Sequence, residues 1–570
     1  MWKAEYEKWC AAAVLSAEEQ AELAAIKNDD AEMEDRFHAP LSFGTAGLRG
    51  IMGLGTARMN VHVIRHVTQS FAEVIAADGE TAKRAGVVIA YDPRHQSAEF
   101  ARNAAAVMAA NGVFVRLFSD MRPTPQLSFA IRHYGARAGI NITASHNPKA
   151  YNGYKVYGGD GAQLSSEFAD SIAKRCDEID LFDGIETMNF DAAVAAGLIQ
   201  FLGAETDEIF LKAALGESWG KEHVAKIADD FRVVFTPFHG AGRVLVPEVL
   251  KRLGVRHILP VAAQMEADGD FPTVQSPNPE DPAGFVLAID LARKENADLI
   301  IGTDPDADRV GAIVLHDGEY RMISGNQMGV LLLGYLIAAR KAAGHFPANP
   351  ATIKSIVSSE MVDALAELHG VAVYSTFTGF KHIAEQMAKL ADSHNVFFSF
   401  EESYGYMAGT FCRDKDAVTA SMLITEMAAW YKTRGMTLLD GLEEHYRALG
   451  RYFAEETINI TLPGLDGRRK MDALMANLRK APPASIGGMA VVARCDYESG
   501  KRTAGGCVES LALSGSNVLS FTLENGTTAI VRPSGTEPKV KLYILACAED
   551  RSACYETIAA CKSFAESILD

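Results

Sequence analysis

The sequence lacks the excess of basic residues that is typical of proteins that bind nucleic acids or anionic membranes. Its 570 residues include 55 Lys and Arg against 73 Asp and Glu, a formal net charge of -18. Both kinds of partner attract basic surfaces, so this acidic balance disfavours them. A bound phosphate would depend on local Arg, Lys and backbone N–H groups. The few basic clusters are therefore the places to look for an anion site.

Long apolar runs and cysteine pairs are also missing. The longest nearly apolar stretch, Met328 to Ala339, is shorter than the ~20 residues that a membrane-spanning helix needs. The charged run MWKAEYEKW has no apolar core of the kind found in signal peptides. The eight cysteines form no CxxC pair, and in so long a chain they predict reduced thiols in a cytoplasmic protein.

Two common nucleotide-binding motifs are absent. No GxxxxGK[ST] run is present, which disfavours a P-loop site. A GxG run at Gly240 to Gly242 follows a strand pattern, but Leu245 stands where a dinucleotide fold needs its third glycine. The sequence therefore disfavours a nicotinamide-dependent oxidoreductase.

A recurring unit organises most of the chain: a short β-branched run ends in a polar or glycine-rich loop, beside an amphipathic helical stretch. Four examples are Gly86 to His95, Phe231 to Gly242, Ala297 to Arg309 and Asn395 to Gly405. Continuous apolar strands separated by helices predict mainly parallel sheets that are covered on both faces. Ligands of such folds bind beyond the carboxyl ends of the strands, so these loops are candidate sites.

Length and pattern together predict several domains. At roughly 150 residues per domain, the chain has room for about four. After about residue 450, two strand patterns joined by Asn525-Gly526 indicate a type I′ hairpin and a smaller α+β domain. We predict a helical N-terminal extension and four domains, with the boundaries 1–40, 41–210, 211–325, 326–450 and 451–570.

The loop TASHNPKAYNGYK, from Thr143 to Lys155, carries a candidate nucleophile. Ser145 follows the apolar run AGINI and is therefore expected at the end of a strand. A serine there can accept and donate a phosphoryl group if its surroundings stabilise negative charge. His146 and Lys155 could contact that phosphate or move protons. Ser, Asn, Pro and Gly also form ordinary turns, and the loop alone does not decide between these readings.

The loop GTDPDADR carries a candidate metal site. Asp304, Asp306 and Asp308 alternate after an apolar strand, so their carboxylates can converge on one hard cation such as Mg²⁺. A calcium-binding EF-hand is excluded because Arg309 and Leu315 occupy the positions where it needs Gly and Glu. A solvated acidic turn is the alternative, although three close acids repel one another unless they are neutralised. Arg309 could contact a phosphoryl oxygen.

Two further strand-end loops carry groups suited to a sugar. TGFKH starts at Thr378, and EESYG places Glu401 and Ser403 where a carboxylate and a hydroxyl could meet sugar hydroxyls. Helix capping by Thr378 or Ser403 is the alternative. In CRDKDA, Lys415 could assist proton transfer or simply pair with neighbouring acids on the surface.

The loop RPSGTEP is rich in anion donors. Arg532 can hold a phosphate with two parallel hydrogen bonds, while Ser534, Thr536 and the amide of Gly535 add further donors. A plain turn between strands is the alternative reading.

Six motifs in this order resemble the α-D-phosphohexomutase superfamily over nearly the whole chain from about residue 40. They are FGTAGLRG (Phe43 to Gly50), TASHNP, DPDADR, GFKHI, EESYG and RPSGTEP. The set is most similar to the long phosphoglucomutase (phosphoglucomutase/phosphomannomutase) branch, which also includes phosphopentomutases and glucose-1,6-bisphosphate synthases. The resemblance implies an α/β fold of four domains around a central cleft. Three would be related α/β domains with mixed, mainly parallel sheets, and the fourth a smaller C-terminal α+β domain.

The resemblance also implies roles for individual residues. Ser145 would be the phosphoserine and a metal ligand, bordered by Arg49 and His146, with Mg²⁺ held by Asp304, Asp306 and Asp308. Lys155 and Lys415 match lysines proposed as acid and base. Tyr406 follows Gly405 where bacterial phosphomannomutases place a histidine, so Lys415 is the better candidate proton donor. The implied substrate contacts are Arg309, Thr378, Gly379, Phe380, Lys381, Glu401, Ser403, Arg532, Ser534, Gly535 and Thr536.

The implied reaction interconverts α-D-glucose 1-phosphate and glucose 6-phosphate through glucose 1,6-bisphosphate, which would also prime the enzyme. We expect a cytoplasmic monomer or homodimer whose partner is a small sugar phosphate. Mannose or pentose phosphates stay open as substrates. So does a bisphosphate synthase that uses 1,3-bisphosphoglycerate as donor. A non-catalytic relative is disfavoured because it need not keep Ser145 and three aspartates.

Overall fold

The computed structural model describes residues 2–44, 47–462, 467–534 and 539–568. They form two compact units that interleave along the chain. The first unit is Met1–Ile323 with Tyr404–Gly435, and the second is Ser324–Ser403 with Met436–Asp570. None of the helices in the described ranges combines the length and the apolar character needed to cross a membrane.

The helices lie throughout both units. They are α1 (Trp2–Ala11), α2 (Ala17–Ala25), α3 (Asp30–Phe37), α4 (Val61–Ala77), α5 (Glu80–Ala85), α6 (Ser97–Ala110), α7 (Thr124–Tyr134), α8 (Ser166–Glu178), α9 (Phe190–Ala195), α10 (Ala204–Leu215), α11 (Lys221–Lys226), α12 (Gly242–Leu253), α13 (Ala262–Met265), a 3-10 helix (Pro282–Phe285), α14 (Val286–Glu295), α15 (Gly325–Ala342), α16 (Met361–His369), α17 (Phe380–Leu390), α18 (Ala417–Lys432), α19 (Leu438–Leu449), α20 (Gly467–Lys480) and α21 (Arg551–Ser567).

The strands alternate with these helices until about residue 450 and then dominate. They are β1 (Leu48–Ile51), β2 (Val87–Tyr91), β3 (Val115–Phe118), β4 (Ala138–Ile142), β5 (Tyr151–Gly158), β6 (Ile199–Leu202), β7 (Arg232–Thr236), β8 (His257–Pro260), β9 (Leu299–Thr303), β10 (Val310–His316), β11 (Glu319–Ile323), β12 (Pro350–Ser355), β13 (Ala372–Thr376), β14 (Asn395–Glu401), β15 (Gly405–Ala408), β16 (Tyr452–Thr461), β17 (Ser485–Ile486), β18 (Met489–Asp496), β19 (Lys501–Ala504), β20 (Cys507–Ser510), β21 (Leu519–Leu523), β22 (Thr528–Pro533) and β23 (Lys539–Ala548).

The first sheet has the order β1-β5-β4-β2-β3-β6. Strands β4, β2, β3 and β6 are parallel, while β5 runs antiparallel to β1 and β4. The central strands β2 and β4 are apolar at nearly every position because helices cover both faces of the sheet. The antiparallel pair β4–β5 brings Asn141 opposite Lys155, so both ends of the Thr143–Lys155 loop start from fixed positions.

The second sheet has the order β11-β10-β9-β7-β8, with β7, β8 and β9 parallel and β10 and β11 antiparallel. Helix α14 packs on β7 and β9, and α18, which the chain supplies only after residue 416, packs on β9 and β10. Nearly every residue of α18 is buried, as expected of a helix that is apolar on all sides. The aspartate loop is the turn between β9 and β10.

The N-terminal helices form a small apolar cluster of their own. Trp9, Leu23, Phe37 and Leu54 pack together there. Ser16 starts α2 with a capping box, in which its hydroxyl accepts from the Glu19 amide and the Glu19 carboxylate accepts from the Ser16 amide. The helices α1 to α3 make up most of the first 40 residues.

The second unit holds the three parallel strands β12, β13 and β14 and an antiparallel C-terminal sheet. Strand β12 is parallel to both β13 and β14. The C-terminal sheet is antiparallel, with the order β16-β23-β22-β21-β18-β19-β20 and β17 beside β18. Strands β21 and β22 form the predicted hairpin, but its turn is not the predicted type I′. A type I′ turn needs a positive φ at both Asn525 and Gly526, and only Gly526 has one, at +87°. The Gly526 amide donates to the Leu523 carbonyl at 2.9 Å, so Glu524 and Asn525 are the central residues of the turn and Gly526 follows it. The predicted fold class, three α/β domains and a C-terminal α+β domain, is confirmed.

Candidate active site

Ser145 lies just beyond the carboxyl end of β4 and is only 3% exposed. Its φ of +50° is unusual for a residue with a side chain, and its amide donates to Thr143 Oγ1 at 2.8 Å, which helps hold that conformation. Ser145 Oγ lies 3.2 Å from Nδ1 of His146 and donates to Oδ2 of Asp304 at 2.9 Å. The structure thus joins the loop Thr143–Lys155, here called the serine loop, to the aspartate loop, although 159 residues separate Ser145 from Asp304.

Arg94, to which no sequence motif assigned a role, holds the serine loop through hydrogen bonds to its backbone. Its Nη2 donates to the carbonyls of Ser145 and Asn147, both at 2.6 Å, and its Nη1 donates to those of Pro148 and Tyr151 at 2.9 and 3.0 Å. Nε donates to the buried carboxylate of Asp92 at 3.1 Å. Both residues follow β2, the strand next to β4. The sequence shows that Asp92 and Arg94 follow an apolar strand, but it does not show which groups they contact.

The three aspartates of the second loop converge. Asp304, Asp306 and Asp308 are all buried, and one carboxylate oxygen of each lies within 4.8 Å of the others. Asp304 Oδ1 accepts from the amides of Asp308 and Arg309, both at 3.0 Å. Oδ1 of Asp306 and Oδ1 of Asp308 are buried and accept no hydrogen bond from the described residues. Buried carboxylate oxygens without a donor are costly unless a cation neutralises them, so this donor set fits a divalent metal ion.

Burial acts to raise the pKa of both Asp304 and Asp306, but the groups around them shift the two pKa values in opposite directions. The pKa of Asp304 lies well above its ordinary value, because the group is buried and faces the charges of Asp306 and Asp308. Burial also acts to raise the pKa of Asp306, but the Lys155 ammonium and the Thr124 hydroxyl, each 2.8 Å from Oδ2, outweigh it and lower the pKa. The cluster therefore carries negative charge that only nearby cations balance.

Two buried lysines supply part of that balance. Lys155 Nζ also lies 3.6 Å from Oδ2 of Asp308, and Lys415 Nζ lies 3.1 Å from the same oxygen. Burial acts to lower the pKa of Lys155, but Asp306 and Asp308 outweigh it and raise the pKa, so this group is an ammonium at neutral pH. Lys415 is 6% exposed, which contradicts the alternative reading of a surface ion pair.

Asp414 fixes Lys415 and was also missed as a site residue. Its Oδ1 accepts from both the amide and Nζ of Lys415, at 2.8 and 3.0 Å. Its Oδ2 accepts from the hydroxyl of Tyr157 at 2.9 Å and from Gln163 Nε2 at 3.1 Å. A Cβ on Gly405 would lie 2.1 Å from Cδ of Lys415, so only glycine leaves room for this side chain.

Three more predicted residues surround the serine loop. Arg49 Nη1 donates to Oδ1 of Asn147 at 2.9 Å, and Arg309 Nη1 donates to Oε1 of Glu280 at 3.0 Å. The pKa of His146 lies well below its ordinary value, first because of burial and then because Arg309 and Arg49 are cationic. The His146 imidazole is therefore neutral at pH 7 and offers one donor and one acceptor.

The sugar-loop residues lie in the second unit. The amide of Gly379, whose φ is +112°, donates to Oε1 of Glu401 at 2.5 Å. Gly379 precedes α17 and caps it without a side chain, and Ser403 precedes β15, so neither Thr378 nor Ser403 caps a helix. Glu401 and Phe380 are buried, whereas Thr378, Lys381 and Ser403 are half-buried.

The described part of the phosphate loop lies at the end of β22. Arg532 Nη1 donates to the hydroxyl of Tyr543 at 3.4 Å. The Ser534 amide donates to the carbonyl of Lys539 at 2.8 Å. Gly535 and Thr536 lie outside the described residues.

Comparisons with known proteins cover nearly the whole chain. Four phosphoglucomutase/phosphomannomutase family models match: alpha/beta/alpha domains I, II and III at residues 40–182, 214–318 and 324–449, and the C-terminal domain at 469–555. The phosphoglucomutases of Staphylococcus aureus strains N315 and MRSA252 are each 39% identical over 528 residues, which cover 91% of this chain and 92% of each relative.

Solved structures show the same fold. A phosphoglucomutase/phosphomannomutase family protein from Burkholderia thailandensis has a TM-score of 0.67 at 18% identity and covers 93% of this chain and 97% of its own. The open form of pp63/parafusin, a phosphoglucomutase from Paramecium, has a TM-score of 0.67 at 18% identity, with 92% and 94% covered. With four matching domains in order and relatives this similar in sequence, the chain belongs to the phosphoglucomutase/phosphomannomutase family.

Proposed function

We propose that the protein is a phosphosugar mutase that interconverts α-D-glucose 1-phosphate and glucose 6-phosphate through a phosphoserine at Ser145 and a glucose 1,6-bisphosphate intermediate. One observation carries the chemistry: the buried Ser145 hydroxyl lies 2.9 Å from Asp304, inside a carboxylate cluster with two oxygens that lack donors. The choice of glucose is supported by relatives named phosphoglucomutase at 39% identity.

The aspartate cluster is proposed to hold Mg²⁺. Asp304, Asp306, Asp308 and the phosphorylated Ser145 would bind it, since Mg²⁺ prefers a few carboxylates together with a phosphate. When bound, the ion would neutralise charge on the oxygens of the phosphoryl group. The Oδ1 atoms of Asp306 and Asp308, which accept no hydrogen bond from the described residues, are the observation that favours a cation here.

In the first half of the reaction a sugar hydroxyl oxygen attacks the phosphorus of phospho-Ser145. The new O–P bond forms as the bond between phosphorus and Ser145 Oγ breaks, and the hydroxyl proton passes to a base. Lys155 is an ammonium, so it suits the acid that protonates the departing Oγ. Lys415 is proposed as the partner in proton transfer, and Arg49 and His146 as groups that steady the serine phosphate.

In the second half the bisphosphate turns end for end, and its other phosphoryl group returns to Ser145 Oγ. The sugar and its second phosphate need contacts that accept either orientation. We propose that Glu401 and Ser403 meet the sugar hydroxyls, that Thr378 to Lys381 respond to its orientation, and that Arg309 contacts a phosphoryl oxygen. The phosphate that is not transferred would be held by Arg532, Ser534, Gly535 and Thr536.

Replacement of the nucleophile tests the proposal. Ser145→Ala should abolish conversion of glucose 1-phosphate to glucose 6-phosphate in the presence of Mg²⁺ and bisphosphate primer. The wild type should gain the mass of one phosphoryl group from the bisphosphate, and Ser145→Ala should not. Ser70→Ala is a matched control, because Ser70 is fully buried on α4 away from the serine loop. Undiminished turnover in Ser145→Ala would refute the phosphoserine role.

A substrate panel tests the sugar. We expect glucose 1-phosphate to react faster than the 1-phosphates of mannose, glucosamine and ribose under the same conditions. Formation of bisphosphate only when 1,3-bisphosphoglycerate is added would instead identify a synthase. The proposed cytoplasmic location is supported by the eight cysteines, all of which are free of disulfides.

A further inference from the structure

A segment without an assigned role connects the aspartate loop to the serine loop. We name Glu266–Thr273 the bridging segment. At its two ends it contacts His239, a residue that is 2% exposed: Nδ1 lies 2.9 Å from the Glu266 carbonyl, and Nε2 lies 2.8 Å from Thr273 Oγ1. A carbonyl can only accept, so Nδ1 of His239 donates to it, and Nε2 shares a hydrogen bond with the Thr273 hydroxyl.

His239 belongs to a strained turn that supports the aspartate loop. Phe238 and His239 both have positive φ, at +45° and +66°. The next residue, Gly240, comes so close to the aspartate loop that an added Cβ would lie 2.6 Å from Cα of Pro305. The Ala241 amide donates to the Pro305 carbonyl at 2.8 Å. The bridging segment therefore anchors the turn that holds the chain between Asp304 and Asp306.

The middle of the bridging segment contacts the residues that hold the serine loop. Phe271 is 2% exposed, has a φ of +46°, and places its ring 5.2 Å from the guanidinium carbon of Arg94. A Cβ on Gly269 would lie 2.6 Å from the backbone nitrogen of His95. Asp270 pairs with Lys149 at 3.1 Å and with His95 at 3.3 Å. The bridging segment thus contacts both the turn that supports the aspartate loop and the residues that hold the serine loop.

We propose that Phe271 is a positioning residue, which acts through Arg94 to set the place of Ser145 relative to the aspartate loop. The inference rests on the proposed function, because it takes the serine and the aspartates to react together. A cation held over an aromatic face in a desolvated site is strongly oriented. Small displacements of a nucleophile slow group transfer sharply, so this contact acts on rate more than on binding.

Phe271→Leu tests the proposal while keeping an apolar side chain and the same backbone demand. We expect kcat to fall about tenfold, the scale of a buried cation–π contact, with the KM for glucose 1-phosphate changed less than about twofold. Gly269→Ala should have the same effect by another route, since its Cβ pushes the bridging segment away from His95. Phe210→Leu is the control: Phe210 is fully buried and packs edge-on against Phe129 and Phe411, apart from Arg94.

Hydrogen exchange supplies a readout that does not need turnover. In Phe271→Leu, peptides covering residues 143–151 should exchange faster than in the wild type, whereas Phe210→Leu should leave them unchanged at a similar loss of thermal stability. Equal exchange in the two variants, or a kcat loss in Phe271→Leu no larger than in Phe210→Leu, would overturn the positioning role. Absence of mutase activity in the wild type would refute the proposed function instead, and the exchange comparison would still decide whether Phe271 orders the serine loop.

Discussion

Replacing Arg94 by lysine should destabilise the serine loop, and the free energy lost can be estimated from the hydrogen bonds that Arg94 makes. The guanidinium makes five hydrogen bonds, four of them to the carbonyls of Ser145, Asn147, Pro148 and Tyr151. An ammonium has three donors that diverge from one atom, so at least two of the five acceptors lose their partner. At about 1–3 kcal/mol for each buried acceptor left unsatisfied, the loop should be destabilised by about 2–6 kcal/mol.

Hydrogen exchange of the loop amides measures this loss directly. The Ser145 amide donates to Thr143 Oγ1 and the Asn147 amide donates to the Ala144 carbonyl, so both exchange only when the loop opens. A loss of 2 kcal/mol corresponds to about a 30-fold faster exchange through opening. Arg116→Lys is the matched control, because half-buried Arg116 donates to the Ala85 carbonyl and not to the serine loop. Unchanged exchange in Arg94→Lys, or an equal rise in Arg116→Lys, would show that Arg94 does not hold the loop.

Two further predictions concern metal and pH. If the aspartates bind Mg²⁺, the ion should stabilise the wild type by about 2.7 kcal/mol at 100 times its Kd. Asp306→Asn should lose this stabilisation, because a neutral amide replaces a carboxylate whose Oδ1 accepts no hydrogen bond from the described residues. An equal rise of the melting temperature on adding MgCl₂ to both proteins would contradict this. Burial lowers the pKa of His62, and the hydrogen bond to Glu19, which acts to raise it, does not offset this. The folded state therefore resists protonation and loses stability as pH falls below about 6.5, by at most about 1.4 kcal/mol per pH unit. His62→Gln should make the melting temperature less dependent on pH between 7.5 and 5.5, and parallel curves for the two proteins would exclude this group as the cause.

The sequence predicted the parts of the site that a strand pattern or a motif can mark. Ser145 and the three aspartates each follow an apolar run, and the order of the motifs identified the family, which the comparisons confirm. The hairpin around Asn525 was predictable because its sequence signal is local, but the type I′ turn was wrong because only Gly526 has a positive φ. The domain boundaries and the roles of the individual site residues stay predictions.

The supporting residues could not be predicted, because their meaning depends on contacts far along the chain. Arg94 reads as part of an ordinary strand-end loop until its four carbonyl partners, more than 50 residues away, are known. In the sequence Asp414 is only a neighbour of Lys415, yet half of the hydrogen bonds that its carboxylate accepts come from Tyr157 and Gln163. Phe271 shows no pattern at all, since one aromatic residue in a loop carries no periodicity.

The return of Tyr404–Gly435 to the first unit has a consequence for how the protein is made. During synthesis, residues up to Ile323 leave the ribosome long before α18, the helix that covers β9 and β10. Until then one apolar face of that sheet has no cover, and Lys415 has not yet reached Asp308. A fragment that ends at residue 323 should therefore aggregate, and the charged cluster around the three aspartates is complete only once Lys415 of the 570-residue chain has been made.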